Sequence, residues 1–221
     1  MAIQSLELSA SLFAAHPLKI AETIQDCLKI GIRHLHLDIM DMHYVPNLAL
    51  SFDTVQCIAE TFPTCTLDIH LMVQNPITAV TKLPQKSIRH LYFHPHAEHA
   101  VNQKIIQHIH EIDALAGCTL NPNESWEVIA PLLDKVHCGL IMGVIPGFSG
   151  QKFQDKALQN LKKIHTFPDI HWAVDGGVNT QTLPMIQEFP VDHCVLGSAL
   201  VQGNIQKNYH SLQESIKNAL V

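Results

Sequence analysis

The stretch His34-Leu-His-Leu-Asp-Ile-Met-Asp-Met-His-Tyr-Val-Pro-Asn47 decides the fold of this chain. Its first half alternates in polarity, with Leu35 and Leu37 on one parity and His36 and Asp38 on the other. Such alternation predicts a β-strand, in which residues two apart point to the same side. One side of this strand therefore carries an imidazole beside a carboxylate, just before a polar loop.

Two later stretches repeat this arrangement. Leu67-Asp-Ile-His-Leu-Met72 places His70 near the end of a second strand, and Trp172-Ala-Val-Asp175 ends a third strand on a carboxylate. Because three strand ends each deliver a side chain of the kind that binds metals or moves protons, we expect them to share one site.

Stretches typical of strands and helices alternate eight times along the 221 residues. Ser51 is expected to cap one helix, and Asn75-Pro76 to open another. After the fifth strand we expect a helix that begins at Ser125 and turns Val128, Ile129 and Leu132 inward. Alternating strands and helices predict parallel pairing with right-handed crossovers. Eight such units favour an α/β fold, a (β/α)8 TIM barrel in a single domain over residues 1–221, with its chemistry at the carboxyl ends of the strands.

Composition narrows the class of protein. The chain is 47% hydrophobic and 15% charged, with a formal net charge of -6. Without a basic run, no nucleic acid is expected as a partner. No apolar run approaches the roughly 18 residues of a membrane span, and the start does not resemble a signal peptide. The cysteines, scattered without a Cys-x-x-Cys pair, are expected to be reduced core residues of a cytoplasmic protein. They are Cys27, Cys57, Cys65, Cys118, Cys138 and Cys194.

Four residues form the main constellation of the predicted site: His36, Asp38, His70 and Asp175. Two imidazoles and two carboxylates suit one divalent ion of zinc, iron, manganese or cobalt, and the carboxylates could also act as acid and base. A lone histidine on a strand is more often a buried structural residue, and a chain with 16 histidines brings some together by chance. Spacing alone leaves both interpretations open.

Glycine-rich loops follow the last three strands. In Val144-Ile-Pro-Gly-Phe-Ser-Gly-Gln151 the glycines let backbone N–H groups approach an anion, although a lone Pro-Gly pair is more often only a turn. Phosphate sites in such barrels are often built from the loops after strands seven and eight. We therefore expect a substrate phosphate near these residues: Gly147, Phe148, Ser149, Gly150, Gly176, Gly177, Gly197 and Ser198.

Other candidates lie around the same mouth. Met40, Met72 and Met142 either fill the core or form an apolar wall that keeps water from a reactive intermediate. Ser11 ends the first strand and could bind a substrate hydroxyl. Asp68 has the parity of His70 but lies one layer deeper, as a partner of the site or as part of the barrel floor.

Several motifs, in order over nearly the whole chain, together resemble one family, that of the ribulose-phosphate 3-epimerases. They are Ser11, His36-Leu-Asp38-Ile-Met-Asp41, His43-Tyr-Val-Pro-Asn47, Asp68-Ile-His70-Leu-Met72, Gly117-Cys-Thr-Leu-Asn-Pro122, Pro146-Gly-Phe-Ser-Gly-Gln151, Val174-Asp-Gly-Gly-Val-Asn179 and Gly197-Ser198. The resemblance implies a TIM barrel that interconverts D-ribulose 5-phosphate and D-xylulose 5-phosphate in the pentose phosphate pathway. Since the family commonly forms dimers or hexamers, it also implies a homo-oligomer.

The resemblance also implies roles for residues. Those matching His36, Asp38, His70 and Asp175 bind one divalent metal ion, and Asp38 and Asp175 are the acid/base pair. Ser11 and His70 contact the substrate, the three methionines cap the intermediate, and the glycine loops hold the phosphate.

The chain departs from the family pattern at several positions. The family usually has Gly where Met42 stands, Asn or Asp where Ile145 stands, and Glu where Ala173 stands. None of these departures removes a metal ligand or the acid/base pair, and two alternatives stay open, the first prompted by Met42 and Ile145. One is a 3-epimerase of a hexulose phosphate such as D-allulose 6-phosphate, and the other is a catalytically silent barrel that binds a sugar phosphate or metal.

Overall fold

The computed structural model describes residues 6–85 and 87–218, where eight parallel strands close into one barrel in sequence order, β8 pairing with β1. The strands are β1 (Glu7–Ser11), β2 (His34–Met40), β3 (Thr66–Met72), β4 (Ile88–Phe93), β5 (Leu115–Leu120), β6 (Cys138–Met142), β7 (His171–Asp175) and β8 (His193–Leu196). The helices are α1 (Ile20–Lys29), α2 (Phe52–Thr61), α3 (Pro76–Val80), α4 (His99–Glu111), α5 (Asp155–Leu161), α6 (Leu183–Ile186), α7 (Ser198–Val201) and α8 (Ile205–Asn218). The predicted single-domain (β/α)8 barrel is confirmed. Residues 1–5, 86 and 219–221 of the predicted domain lie outside the described residues.

Alternation along the strands separates two environments. In β2, Leu35, Leu37 and Ile39 belong to the main hydrophobic core, which lies between the barrel and the surrounding helices. His36 and Asp38, on the other parity, are buried inside the barrel. Such a barrel interior is a packed core rather than a pore, so polar side chains placed there must find partners.

Helix starts follow the predicted capping chemistry. The Ser51 hydroxyl accepts the Thr54 N–H at 3.1 Å and begins α2. Asn75 accepts the Thr78 N–H at 3.2 Å, with Pro76 as the first residue of α3. These caps satisfy N–H groups that have no partner within the helix.

The helix predicted after β5 is wrong. Two 3-10 turns stand there instead, Trp126–Val128 and Ala130–Leu132. Pro131 lacks an N–H and limits a continuous helix, and three residues per turn align Ile129 with Leu132. Both of these are buried, whereas Val128 is 37% exposed instead of facing inward.

All six cysteines are free, and five are buried as predicted. Cys57 on α2 is the exception, because it is exposed. The buried face of α2 is formed by Val55, Ile58 and Ala59, and Cys57 lies off that face.

An apolar layer of side chains from β4, β6 and β7 fills one part of the barrel interior. It consists of Tyr92, Cys138, Leu140, Met142 and Ala173. Toward the carboxyl ends of the strands lies the mouth cluster, defined as His36, Asp38, His70 and Asp175. Toward the amino ends lies the floor cluster, defined as Glu7, Asp68, Arg89, His90, His171 and His193.

Asp68 belongs to the floor, the second of its two expected positions. Its carboxylate lies 3.4 Å from Arg89 Nε and 3.0 Å from His90 Nδ1. Arg89 Nη1 in turn donates to Glu7 at 2.9 Å.

Across residues 6–85 and 87–218, we find no helix long and apolar enough to traverse a bilayer.

Candidate metal and phosphate site

The structure brings the four predicted residues of the mouth cluster together. One possible ligand atom from each lies within 4.8 Å of those of the others. Strand register explains the convergence: Asp38 on β2 is the neighbour of His70 on β3, and His36 shares the parity of Asp38. Asp175 arrives from β7, several strands away around the closed barrel.

Distances within the mouth cluster fit ligands of one cation. His70 Nδ1 and His36 Nε2 lie 3.2 and 3.5 Å from Asp38 Oδ1, and 3.9 and 3.8 Å from Asp175 Oδ2. Two ligands about 2.1 Å from a shared tetrahedral ion lie roughly 3.4 Å apart. Both ring nitrogens of His36 are buried without a hydrogen-bond partner. A buried donor set with an unpartnered imidazole suits a divalent cation.

The two carboxyl groups of the cluster differ in pKa. Burial alone would raise the pKa of Asp38, but the charge of the nearby His36 imidazole, joined by the charge and hydrogen bond of His70, holds it well below its usual range. Burial raises the pKa of Asp175; His36 opposes this and the Asp38 carboxylate adds to it. The pair thus contains one group that ionises readily and one that retains a proton more readily.

Two neighbours orient the cluster. The Ser11 hydroxyl donates to Asp38 Oδ2 at 3.3 Å, on the side of the carboxylate away from the histidines. His94 Nε2 lies 2.9 Å from His70 Nε2, and the Tyr44 ring packs on His94 with centroids 4.6 Å apart. Burial, with a smaller contribution from His70, holds the pKa of His94 well below its usual range, so this imidazole is neutral. From the sequence, the position of His94 just after β4 indicates only that it could line the mouth of the barrel. Its contact with His70 is shown by the structure.

A cavity of about 430 Å³ opens above the mouth cluster. His36 and His70 are fully buried and do not line it. The predicted residues that line it are Ser11, Asp38, Met40, Met72, Met142, Gly147, Phe148, Ser149, Gly150, Asp175, Gly176, Gly177, Gly197 and Ser198. The structure adds Phe13, Gln151, Lys152, Asn179 and Gln202, among others. Of these, Lys152 is the one that brings a positive charge, and it directly follows the predicted phosphate loop.

The loops after β6 and β7 are fastened to each other. The Gly143 N–H donates to the Asp175 carbonyl oxygen at 2.6 Å. A Cβ atom on Gly143 would lie 2.1 Å from the Gly176 carbonyl oxygen, so no side chain fits there. Gly176 itself has a φ of +93°, a conformation that glycine adopts without strain.

Side chains hold the phosphate loop from two directions. Asn47 Nδ2 donates to the Gly147 carbonyl oxygen at 2.7 Å, across a hundred residues of sequence. Gln151 Nε2 donates to the carbonyl oxygens of Ile145 and Phe148 at 2.6 and 2.9 Å. These bonds use carbonyl oxygens, which leaves backbone N–H groups of the loop for an anion.

The departures from the family pattern lie away from the cavity surface. Met42 and Ile145 are 54% and 41% exposed, and neither lines the cavity. Ala173 is buried in the apolar layer. Met42 has a φ of 64°, in the left-handed region that favours glycine.

Comparison with known proteins identifies the family of the chain. The model of the ribulose-phosphate 3-epimerase family matches residues 7–201. The chain belongs to this family. Relatives named ribulose-phosphate 3-epimerase include one from Buchnera aphidicola subsp. Baizongia pistaciae, 32% identical over 96% of both chains. The relative from Bacillus subtilis is 31% identical over 88% of this chain and 92% of its own. This ribulose-phosphate 3-epimerase family member is therefore an isomerase acting on carbohydrates.

Solved structures share the barrel at low identity. The 3-keto-L-gulonate-6-phosphate decarboxylase from Vibrio cholerae superposes with a TM-score of 0.74 at 11% identity, covering 96% of this chain and 98% of its own. The 3-hexulose-6-phosphate synthase from Salmonella typhimurium gives 0.73 at 10% identity, covering 97% of this chain and 100% of its own. At this identity the likeness concerns the fold of the epimerase family member alone.

Proposed function

We propose that this chain is a metal-dependent epimerase that interconverts D-ribulose 5-phosphate and D-xylulose 5-phosphate by inverting carbon 3. The observation that carries the proposal is the mouth cluster: two imidazoles and two carboxylates, from three strands, directly below a cavity. Membership of the epimerase family and the glycine loops on the cavity wall support it.

Removing a proton from carbon 3 is difficult, because a carbon acid beside a carbonyl is far weaker than a carboxylic acid. A divalent cation would stabilise the negative charge of the enediolate by several kcal/mol. The atoms that would hold the ion are His36 Nε2, His70 Nδ1, Asp38 Oδ1 and Asp175 Oδ2, as the distances among them suggest. This donor set accepts zinc, iron, manganese or cobalt.

Inversion needs one group to take a proton from one face of carbon 3 and another to return a proton to the opposite face. Asp38 and Asp175 come from separate parts of the barrel and both line the cavity. Their pKa values move in opposite directions, that of Asp38 downward and that of Asp175 upward. A difference of this kind between two carboxyl groups suits an acid/base pair.

The surrounding residues would position this pair. Ser11 donates to Asp38, and the contact between His94 and His70 would hold the His70 ring with Nδ1 toward the ion. Met40, Met72 and Met142 on the cavity wall would exclude water from the intermediate.

The substrate phosphate would lie among the loops after β6, β7 and β8, with Lys152 as a counter-charge. Binding energy gained at the phosphate is remote from carbon 3, so it can hold that carbon between the two carboxyl groups. The homo-oligomer implied by the resemblance and the cytoplasmic location expected from the cysteines remain predictions beside this proposal.

An NMR experiment in D2O tests the proposal. Purified protein loaded with a divalent metal should place deuterium at carbon 3 of D-ribulose 5-phosphate and form D-xylulose 5-phosphate. Asp38→Asn and Asp175→Asn should each abolish both signals, whereas Asp169→Asn, an exposed surface change, should leave them intact. Wild-type protein that gives neither deuterium nor product would reject the pentose reaction.

The same assay separates the alternatives. A larger kcat/KM for D-allulose 6-phosphate than for D-ribulose 5-phosphate would favour the hexulose reaction. Tight binding of either sugar phosphate without exchange at carbon 3 would favour a silent binding protein. We favour the pentose substrate, because Met42 and Ile145, which prompted the hexulose alternative, do not line the cavity.

A further inference from the structure

We propose that His90, His171 and His193 form a second divalent-cation site, of the zinc type, at the amino-terminal end of the barrel. The site lies at the opposite end of the barrel from the mouth cluster and does not depend on the proposed function. It would use three protein ligands and leave a fourth position for water.

The three imidazoles meet although they come from different strands. One ring nitrogen from each lies within 4.8 Å of those of the other two. The ring centroids of His90 and His171 are 5.2 Å apart, and those of His171 and His193 are 6.4 Å apart. His171 and His193 are the first residues of β7 and β8, which explains why both lie at the floor.

A carboxylate lies close to the Nδ1 atom of each ring. His90 Nδ1 and His193 Nδ1 lie 3.0 and 3.7 Å from the two oxygens of Asp68. His171 Nδ1 lies 3.7 Å from Asp192 Oδ2. Histidines that bind metals usually present the second nitrogen to a carboxylate or carbonyl, which fixes the tautomer and the ring orientation. His90 Nδ1 and His193 Nδ1 make no hydrogen bond themselves, and with the carboxylates on the Nδ1 side of each ring the Nε2 atoms would be the ligands.

Two of these Nε2 atoms lack any other partner. His171 Nε2 and His193 Nε2 are buried without a hydrogen bond, and the His193 side chain is completely buried. Buried polar atoms in proteins are nearly always paired, so two unpartnered nitrogens in one cluster point to a ligand between them.

Access from solvent is also favourable. The His171 side chain is 36% exposed, which provides an entry path from solvent.

Zinc titration of metal-free protein tests the site. In a His36→Gln/Asp175→Asn background, which removes two ligands of the mouth cluster, calorimetry should still show one zinc ion per chain. Adding His171→Asn should weaken that binding roughly 100-fold or more, since a ligand is lost. Adding His165→Asn instead, a change of an exposed histidine, should leave the affinity unchanged.

Cobalt provides a measurement that does not depend on the folding of the His171 variant. Co2+ in the background protein should give the intense visible bands of a tetrahedral site. Absence of zinc binding or of these bands in the background protein would overturn the proposal. So would zinc binding that survives His171→Asn in protein with unchanged circular dichroism, because that zinc would belong to surface histidines.

Discussion

Both ends of the barrel contain histidines and carboxylates, but the carboxylates have a positively charged Arg partner at only one end. In the mouth cluster, two carboxylates face two imidazoles with no Lys or Arg in the group, and a cavity of about 430 Å³ lies above. In the floor cluster, Arg89 already neutralises much of the charge of Asp68 and Glu7. The mouth thus keeps its carboxylates for a cation, whereas at the floor Asp68 and Glu7 already have a positively charged partner.

Histidine pKa values show the effect of this difference. Burial lowers the pKa of both His36 and His193. At the mouth, the charge of the nearby Asp38 carboxylate, joined by that of Asp175, outweighs burial and raises the pKa of His36 to about 9. At the floor, burial prevails, Asp68 offsets it in part, Arg89 adds to it, and the pKa of His193 falls to about 3. The nearest fixed charges therefore decide the state of a buried imidazole.

The largest effect that separates the two ends should come from Asp175→Asn. Loss of one member of the acid/base pair should lower kcat/KM by about 1,000-fold, as for general acid/base groups in other enzymes. Because an amide of the same shape replaces the acid, the thermal midpoint should change little. Steady-state kinetics and a melting curve on the same sample check this, and residual activity near wild type would remove Asp175 from the proposed pair.

The converse change at the floor is Arg89→Met. It leaves the buried Asp68 carboxylate without its guanidinium, which should lower the free energy of unfolding by about 3 kcal/mol. The activity of the folded fraction should stay at the wild-type level, since Arg89 does not line the cavity. Urea denaturation and kcat measured together test this; a fall in kcat at unchanged stability would show that the two ends are coupled.

His94→Phe tests the support of the mouth cluster without removing a ligand. Phenylalanine keeps a ring against Tyr44 but cannot form a hydrogen bond with His70 Nε2. Loss of such an outer partner should weaken metal binding about 10- to 100-fold. Competition with a chromophoric chelator measures the affinity, and an unchanged value would mean that packing alone orients His70.

Acid should destabilise the fold in part by protonating Glu7 in the floor cluster. Burial favours the protonated form, but the hydrogen bond of His34 and the charge of Arg89 outweigh it and lower the pKa of Glu7 from 4.5 to about 2. A pKa lower in the folded state adds stability above pH 4.5, and that stability is lost as pH falls toward about 2. Urea midpoints across this window should fall less steeply for Glu7→Gln than for wild type; parallel curves would contradict this origin.

The smallest effect concerns Met42, which belongs to neither cluster. Its φ of 64° is costly for a residue with a Cβ atom. Met42→Gly should raise the free energy of unfolding by about 0.5 kcal/mol, after the greater entropy of glycine in the unfolded chain is counted. A melting curve measures the change, and a lower midpoint would show that the exposed Met42 side chain makes contacts that outweigh the strain.

The barrel and the convergence of the mouth cluster followed from local patterns. The alternation of polar and apolar residues predicts that His36 and Asp38 lie on the same side of β2. Because parallel strands end at the same edge of a barrel, residues near those ends are expected to meet there. The segment after β5 was mispredicted because spacing of apolar residues does not distinguish an α-helix from two 3-10 turns. The exposure of Cys57 was missed because it depends on which face of α2 packs inward.

The floor was largely missed for a different reason. By the parity of their strands, the side chains of His90, His171 and His193 face the barrel interior. They lie toward the amino ends of the strands, however, whereas functional residues of such barrels are expected at the carboxyl ends. The parity of His171 with Asp175 was a signal that could have found it. The contact of His94 with His70 depends on side-chain placement across neighbouring strands, which no spacing along one segment encodes.

The bond from Gly143 to the Asp175 carbonyl oxygen has a mechanical consequence. The loop proposed to grip the phosphate begins at Gly143, and the peptide that Gly143 holds is that of the carboxylate proposed to move a proton. A force on the anchored end of a substrate would therefore reach the reacting end through one short backbone link. The loop that begins at Gly143 and the Asp175 carboxylate would therefore move together as one rigid unit, with no hinge between them.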